Sequence, residues 1–517
     1  MGLLVGRGQT PQFKWRPTQF EQGKSITIPA PYGGLNLRDD IGALKPNEAR
    51  VLENWFPSAG ELEFRPGFDD HSTGLGSGEV KTTAAFTGYS ASKLISAANG
   101  KIWDSTSAGA GTELATGFTN DRWQTALYSD RLFFVNGVDN PQVYNGSTVS
   151  GIVWAGSGLT DNNLVNIALV RNRLWFCEIN SADVWYAAIG QITAASNLTK
   201  FSLSQIAKGG YCMAIGAWSR DGGDGADDLT VFVMSTGEII IYQGDPASTF
   251  SKIGSYWTGA PPIGRQCLAQ VGGELVVITR LGILPVSAAP GGVALDLARI
   301  DPWGKIAPGI ASDAKLDGGN IGWHACLHDG VFYLNVPMTD GVLSKQYVMN
   351  TRNGNWTVYT KWNASSLASF GGDLYFGAVT GGVVNKVTGS SDNGEDITAI
   401  ANGAFVYPTA AQLTNMYTGI RPKMQGEDTV TGVVGVDTDF VLRSLIGASV
   451  PIINDVSTTP WGSDWGSPWG SASGARPQWF SITGEGKSVS VRLRATSQSA
   501  NLRWFATDVL FKPGGIR

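Results

Sequence analysis

Residues 131–146, RLFFVNGVDNPQVYNG, limit the fold more than any other stretch of this chain. An apolar run, Leu132-Phe133-Phe134-Val135, meets a turn at Asn136 to Pro141 and then a second short run, Gln142-Val143-Tyr144. Aromatic and branched side chains suit a pleated, packed surface. Asn, Asp and Gly tolerate positive φ, and Pro presets a bend. The stretch therefore reads as a β-hairpin.

The hairpin recurs. Runs beginning at Leu94, Leu132, Leu174, Leu229, Leu275, Phe332 and Leu374 each pass through a turn into a second run. The first of them turns at Asn99-Gly100, a strong two-residue hairpin signal. A further short strand precedes the units, as at 124–127 and 167–170. The starting positions lie 38, 42, 55, 46, 57 and 42 residues apart. Four-stranded propeller blades repeat at about 40–50 residues. The spacing predicts an all-β chain whose centre, residues 80–395, is an irregular β-propeller of six to eight blades. A string of unrelated hairpins in β-sandwiches is the alternative, and the recurrent strand–turn–strand order favours the propeller.

The flanks differ from this centre. Residues 1–24 are polar, with Pro11 and Pro17, and read as an N-terminal arm. Residues 25–79 read as opening strands with a short helix, joining the propeller. Ser25-Ile26-Thr27-Ile28-Pro29 is an edge strand ended by proline. Residues 45–54 (KPNEARVLEN) are the best helix candidate, with Pro46 in the first turn and Ala49, Leu52 and Trp55 as an apolar face. Residues 61–64 form a strand stopped by Arg65-Pro66-Gly67. Residues 390–396 (SSDNGED) read as a polar linker. Beyond it, period-two alternation at 429–436, 488–494 and 502–505 predicts a separate C-terminal antiparallel β-domain, residues 396–517.

Composition narrows the function. Charged residues make up 16% of the chain, against a typical value near 25%. The net charge of -5 does not advertise a basic nucleic-acid-binding protein. Cys177, Cys212, Cys267 and Cys326 include no CxxC pair and are too few for a disulfide scaffold, which fits folding in a reducing cytoplasm. The first residues, MGLLVGRGQTPQFKW, lack the 7–15-residue apolar core of a signal peptide. No run approaches the ~18 apolar residues of a membrane helix.

Candidate chemistry is sparse. His324, Cys326 and His328 share strand parity in GWHACLHDG, a trio that zinc could use in principle, but no fourth ligand is signalled. Asp221, Asp224, Asp227 and Asp228 form a glycine-rich acidic loop. It lacks EF-hand spacing and reads as a solvated hairpin loop rather than a cation site. Ser219-x-Asp221-x-Gly223 and Ser390-x-Asp392-x-Gly394 resemble the aspartate box of sialidase-like propellers without its closing aromatic residue, and read as turns. No phosphate-binding glycine loop occurs, and no pair of acids for glycoside hydrolysis stands out by spacing. No catalytic, cofactor-binding or metal residue is therefore assigned, and no cofactor is expected. The most unusual segment places Trp461, Trp465 and Trp469 four residues apart among Gly, Ser and Pro. Either their indoles pack on their own domain, or they form an aromatic anchor at a subunit contact, where Trp is enriched among hot spots. They are the candidate interface.

Two ends of the chain resemble the podovirus tail hub, or nozzle, family, which includes packaged-DNA stabilisation proteins. The first match comprises Gly33-Gly34-Leu35-Asn36, Pro46, Ala49, Asn54-Trp55-Phe56-Pro57 and Arg65-Pro66-Gly67-Phe68. The second comprises Arg421-Pro422-Lys423, the Trp-Gly steps at 461–470, Gly484-Glu485-Gly486, Val491-Arg492-Leu493 and Lys512-Pro513-Gly514-Gly515. Together they span about a third of the chain. The resemblance implies a non-enzymatic structural virion protein of the phage tail, assembled in the host cytoplasm. It implies a homohexameric ring below portal and adaptor, contacting adaptor and tail fibre or spike proteins. Such a ring extends the DNA channel, retains packaged DNA and takes part in ejection, without sequence-specific DNA binding. Two other readings compete: a propeller glycosidase or lyase, and a cytoplasmic protein-interaction propeller.

Overall fold

The computed structural model describes residues 23–514, save 90, 194–196, 222–225, 292–299, 340, 427–429, 444–448, 454–477 and 499–501. Trp461, Trp465 and Trp469 lie outside the described residues, as do residues 222–225 of the acidic loop at 221–228.

All seven hairpins form, and each belongs to its own antiparallel sheet unit. Unit I is Val80–Thr87, Ser92–Ala98, Lys101–Asp104 and Thr112–Thr116; unit II is Gln124–Tyr128, Arg131–Val135, Gln142–Tyr144 and Val149–Gly151. Unit III is Leu164–Val170, Arg173–Glu178, Asp183–Tyr186 and Thr199–Ser202; unit IV is Cys212–Asp221, Ala226–Met234, Glu238–Gly244 and Phe250–Trp257. Unit V has three strands, Leu268–Val271, Glu274–Thr279 and Gly282–Pro285, and unit VI is His324–His328, Val331–Thr339, Leu343–Asn350 and Asn355–Tyr359. Unit VII is Ala364–Phe370, Asp373–Ala378 and Val384–Val387, and its next strand is supplied from far upstream by Phe68–Thr73. The first strands of successive units neighbour one another, and that of unit VII neighbours that of unit I. The arrangement is propeller-like.

This packing explains why the central run of each hairpin is continuously apolar. Sheets stacked side by side bury both faces of a strand. Leu132 and Phe134 pack toward unit I, whereas Phe133 and Val135 pack toward unit III. Leu174 and Phe176 face unit II, whereas Trp175 and Cys177 face unit IV. A run of four to six apolar residues between turns is what a strand buried on both faces requires. The tight connections follow the same logic. Ser129 and Asp130, between paired Tyr128 and Arg131, both adopt positive φ, as do Asn99 and Gly100. That is the primed geometry matched to strand twist.

The first strands share a second signature. Those of units I, III, IV and VII each carry a register shift at their start, between Val80 and Thr82, Leu164 and Asn166, Cys212 and Ala214, and Ala364 and Ser366. Such bulges re-aim side chains. Here three of the residues that follow them stitch sheets together. Thr82 Oγ1 donates to Asp121 O at 2.7 Å in unit II's approach. Asn166 Oδ1 accepts from Ile215 N of unit IV at 3.2 Å. Ser366 Oγ donates to Val80 O of unit I at 3.0 Å.

The two chain ends build a second body. Lys24–Pro29, Trp55–Pro57 and Leu62–Phe64 join Arg503–Pro513, Asn415–Gln425 and Phe480–Gly486 in one sheet. Ala49–Glu53 extends the sheet of unit VI from Asn355–Tyr359 into Ile397–Gly403, Val489–Ser497, Val430–Thr438 and Val450–Ile453. A shared core of Trp55, Leu62, Tyr417, Val436, Leu493 and Trp504 fills the space between them. Lys24–Pro29 lies at the sheet edge, pairing with Arg503–Pro513.

One expected element is replaced. Residues 45–54 do not form a helix: Ala49–Glu53 is a strand. Glu48 Oε2 accepts Lys45 N at 3.1 Å, a capping contact, but only one turn forms. A helix of this length is marginal on its own. As a strand it pairs along both edges, Leu52 with Ala401 and Glu53 with Val358. The α-helix of the described residues is Ala307–Asp317, with proline in its first turn.

Candidate functional site

Residues of the first match meet at the joint between the end body and units VI and VII. Gly34 has φ +82, and a Cβ there would lie 2.8 Å from the backbone N and O of Trp356. Only glycine lets the chain run this close to unit VI, where Leu35 N donates to Trp356 O at 2.7 Å. Asn36 is fully buried and folds the next turn, accepting Arg38 N and Asp39 N at 3.1 Å and donating to Glu48 Oε2 at 3.1 Å. Glu48 in turn holds Lys305 at 3.1 Å.

Asn54 and Arg65 form the centre of the joint. Asn54 Nδ2 donates to Thr360 Oγ1 at 2.9 Å and to Thr398 O at 2.7 Å, tying unit VI to the end body. Its Oδ1 accepts Thr360 N at 2.9 Å and Arg65 Nε at 2.8 Å. The guanidinium of Arg65 is shielded from solvent and uses all five of its N–H donors. Besides Asn54 it donates to Pro66 O at 2.9 Å, Thr360 O at 3.0 Å, and bidentately to Asp392 at 2.8 and 2.6 Å. Tyr359 and Trp362 flank it at 6.0 and 5.7 Å. Asp392, in the stretch expected to be a polar linker, is 5% exposed. Next to the pair, a Cβ on Gly67 would lie 2.0 Å from Ser391 O, so the Arg-Pro-Gly step presses directly on the segment that carries Asp392.

The C-terminal motif residues form a smaller node. Arg421 and Lys423 converge on Asp508 at 2.6 and 2.8 Å, and Thr27 Oγ1 donates to the same carboxylate at 2.7 Å. Burial opposes the charged form of Asp508, but the bonds from Lys423, Thr27 and Arg421 outweigh it and hold the carboxyl below its usual range. The node joins the first described strand to two C-terminal ones.

The histidine trio does not assemble. His324 is buried and its Nδ1 lies 2.8 Å from Gly322 O, whereas His328 Nδ1 lies 2.8 Å from Ser369 Oγ. Four strand residues separate them by about 13 Å. Among the described residues no group of three His, Cys, Asp or Glu side chains is placed to hold a metal ion. Burial pushes the His324 imidazole down to about 4, against the hydrogen bond to Gly322 O, which raises it. The folded state therefore prefers neutral His324, while the unfolded chain takes up a proton below about pH 6.5. Stability tied to this residue is present at pH 7 and falls as the pH drops through 6.5 toward 4. The expected loss from this source is about 2 kcal/mol between pH 7 and pH 5. Urea unfolding of the parent and of His324→Gln at both pH values checks this; equal pH dependence in the two would refute it.

Sequence reasoning missed Asp392 and the pairing role of Arg65. An arginine flanked by a strand and a Pro-Gly step was the available signal. No helix of the described residues is long and apolar enough to cross a membrane.

No protein-family model matches the chain, and no curated protein matches it. Among solved structures, it is similar to the extracellular domain of a hybrid two-component system from B. thetaiotaomicron, at 12% identity and a TM-score of 0.37. That match covers 68% of this chain and 43% of the other, so the chain spans less than half of that protein's length. It is similar to YCF48 bound to D1 peptide, at 9% identity and a TM-score of 0.35, covering 64% of this chain and 96% of that one. It is also similar to an exo-β-1,3-galactanase from Phanerochaete chrysosporium, at 9% identity and a TM-score of 0.25, covering 75% and 95%. At these scores none bears on activity or partners.

Proposed function

We propose that this chain is a structural subunit of a phage tail, a hub or nozzle protein built as a seven-bladed propeller on which the two chain ends form a second body. In this reading it is not an enzyme. It assembles in the host cytoplasm into a homohexameric ring below portal and adaptor, and is carried in the virion. The ring contacts adaptor and fibre or spike proteins, extends the DNA channel, and retains the genome until ejection.

One observation carries the reading. Residues of both matches sit at fastening points: Asn54 and Arg65 of the first bond Thr398 and Asp392, 344 and 327 positions away, and Arg421 and Lys423 of the second converge on Asp508. A conduit under the pressure of packaged DNA needs such rigid coupling. The net charge of -5 suits passage, because a protein that neutralised many phosphates would hold the strand.

Electron microscopy of the virion and peptide mapping of purified tails test it. The chain is expected at the tail axis in six copies. Its absence from the purified tail would overturn the proposal.

A further inference from the structure

Two of the four cysteines meet across a seam between sheets. Cys177 sits on the second strand of unit III and Cys212 opens the first strand of unit IV, and their Sγ atoms are 3.4 Å apart. Both are fully buried, and both are free thiols. Backbone contacts fix each side of the pair. Cys212 N donates to Ser181 O of unit III's hairpin at 2.9 Å, and Cys212 O accepts Arg265 Nη1 at 2.9 Å. Cys177 Sγ faces Asn166 Oδ1 at 3.9 Å, and that same oxygen accepts Ile215 N. The register shift just after Cys212 turns its side chain toward the seam.

No atom stands between the sulfurs. A disulfide needs about 2.05 Å, so the pair must close by roughly 1.4 Å. The seam around the pair is apolar and aromatic, with Trp175, Phe232 and Met234 in the same cluster.

We propose that Cys177 and Cys212 are an oxidative cross-linking site that joins two neighbouring sheets of the chain, units III and IV, covalently. With a low-molecular-weight disulfide as oxidant, one thiolate attacks the reagent's sulfur and displaces one thiol. The second protein thiolate then attacks the mixed disulfide and displaces the other. The protein loses two protons and two electrons, and the reagent is reduced to two thiols. The buried thiols react through local opening of the seam, so the conversion is slow in native buffer and faster in mild denaturant. The cross-link spans two sheets and restricts the unfolded chain, which raises resistance to urea.

The test uses the full chain, freed of reductant and incubated with glutathione disulfide, in buffer and in urea below the unfolding transition. Thiols counted after denaturation are expected to fall from four to two, with a peptide joining Cys177 to Cys212 in the digest. The urea midpoint should rise and return on reduction. Cys177→Ala and Cys212→Ala, each checked for native circular dichroism, should show no such peptide. Four free thiols after incubation in sub-transition urea would overturn the proposal. A link through Cys267 in place of either residue would overturn it equally.

Discussion

Substituting Arg65 by methionine is expected to cost about 3–5 kcal/mol of stability, the range seen when one partner of a buried ion pair is removed. The arginine is enclosed, and the carboxylate it holds is 5% exposed. Methionine fills much of the volume but supplies no donor. It strands the Asp392 carboxylate, two backbone carbonyls at Pro66 and Thr360, and one bond of the Asn54 amide. Each stranded neutral group adds a desolvation penalty of its own. Arg65→Lys restores charge but not the five-donor fork, and should recover only part of the loss. The double change Arg65→Met with Asp392→Leu removes both charges together. Its cost should fall well below the sum of the single changes, because the uncompensated carboxylate is gone. Urea unfolding followed by near-UV circular dichroism and tryptophan fluorescence reads the parent, Arg65→Met, Arg65→Lys, Asp392→Leu and the double change. An Arg65→Met chain with the parent's midpoint would show that the joint contributes nothing to stability.

The node at Arg65 also marks how far local sequence reasoning reaches. Hairpins were legible because their determinants are local. Asn99-Gly100 dictates its own turn, and a run such as Leu132-Phe133-Phe134-Val135 declares burial on both faces without naming the neighbours. Arg65 and Asp392 are 327 positions apart, and each alone reads as a turn-flanking polar residue. Alternation at 488–494 showed a strand, but not that Ile397–Gly403 and Val430–Thr438 would flank it. Residues 45–54 carry helix-start chemistry that pairing partners over 300 positions downstream override. The stretch FDDHST at 68–73 is polar and has no apolar run to mark a strand, yet it pairs with the last sheet unit.

That last pairing leads to a sharper prediction about the ring. Val384 is fully buried in the seam where unit VII meets unit I, in one cluster with Leu75, Val80, Leu94, Trp103 and Tyr375. It pairs with Ser72 of the upstream strand, so it belongs to the stitch that links the two ends of the array. Val384→Asp places an unpartnered carboxylate there, and the expected cost is about 3–5 kcal/mol. Val384→Ala, which only leaves a cavity, should cost less, about 2–3 kcal/mol. The distribution of the damage matters more than its size. In a closed ring the seam is shared, so hydrogen exchange in the Asp variant should quicken in 80–104 and in 364–387 together, although the two lie far apart in sequence. Units III and IV, on another part of the ring with their own seam core, should keep parental protection until global unfolding. In an open array, only unit VII and the upstream strand would loosen. Exchange that leaves 80–104 unchanged would therefore rule out closure between the first and last units.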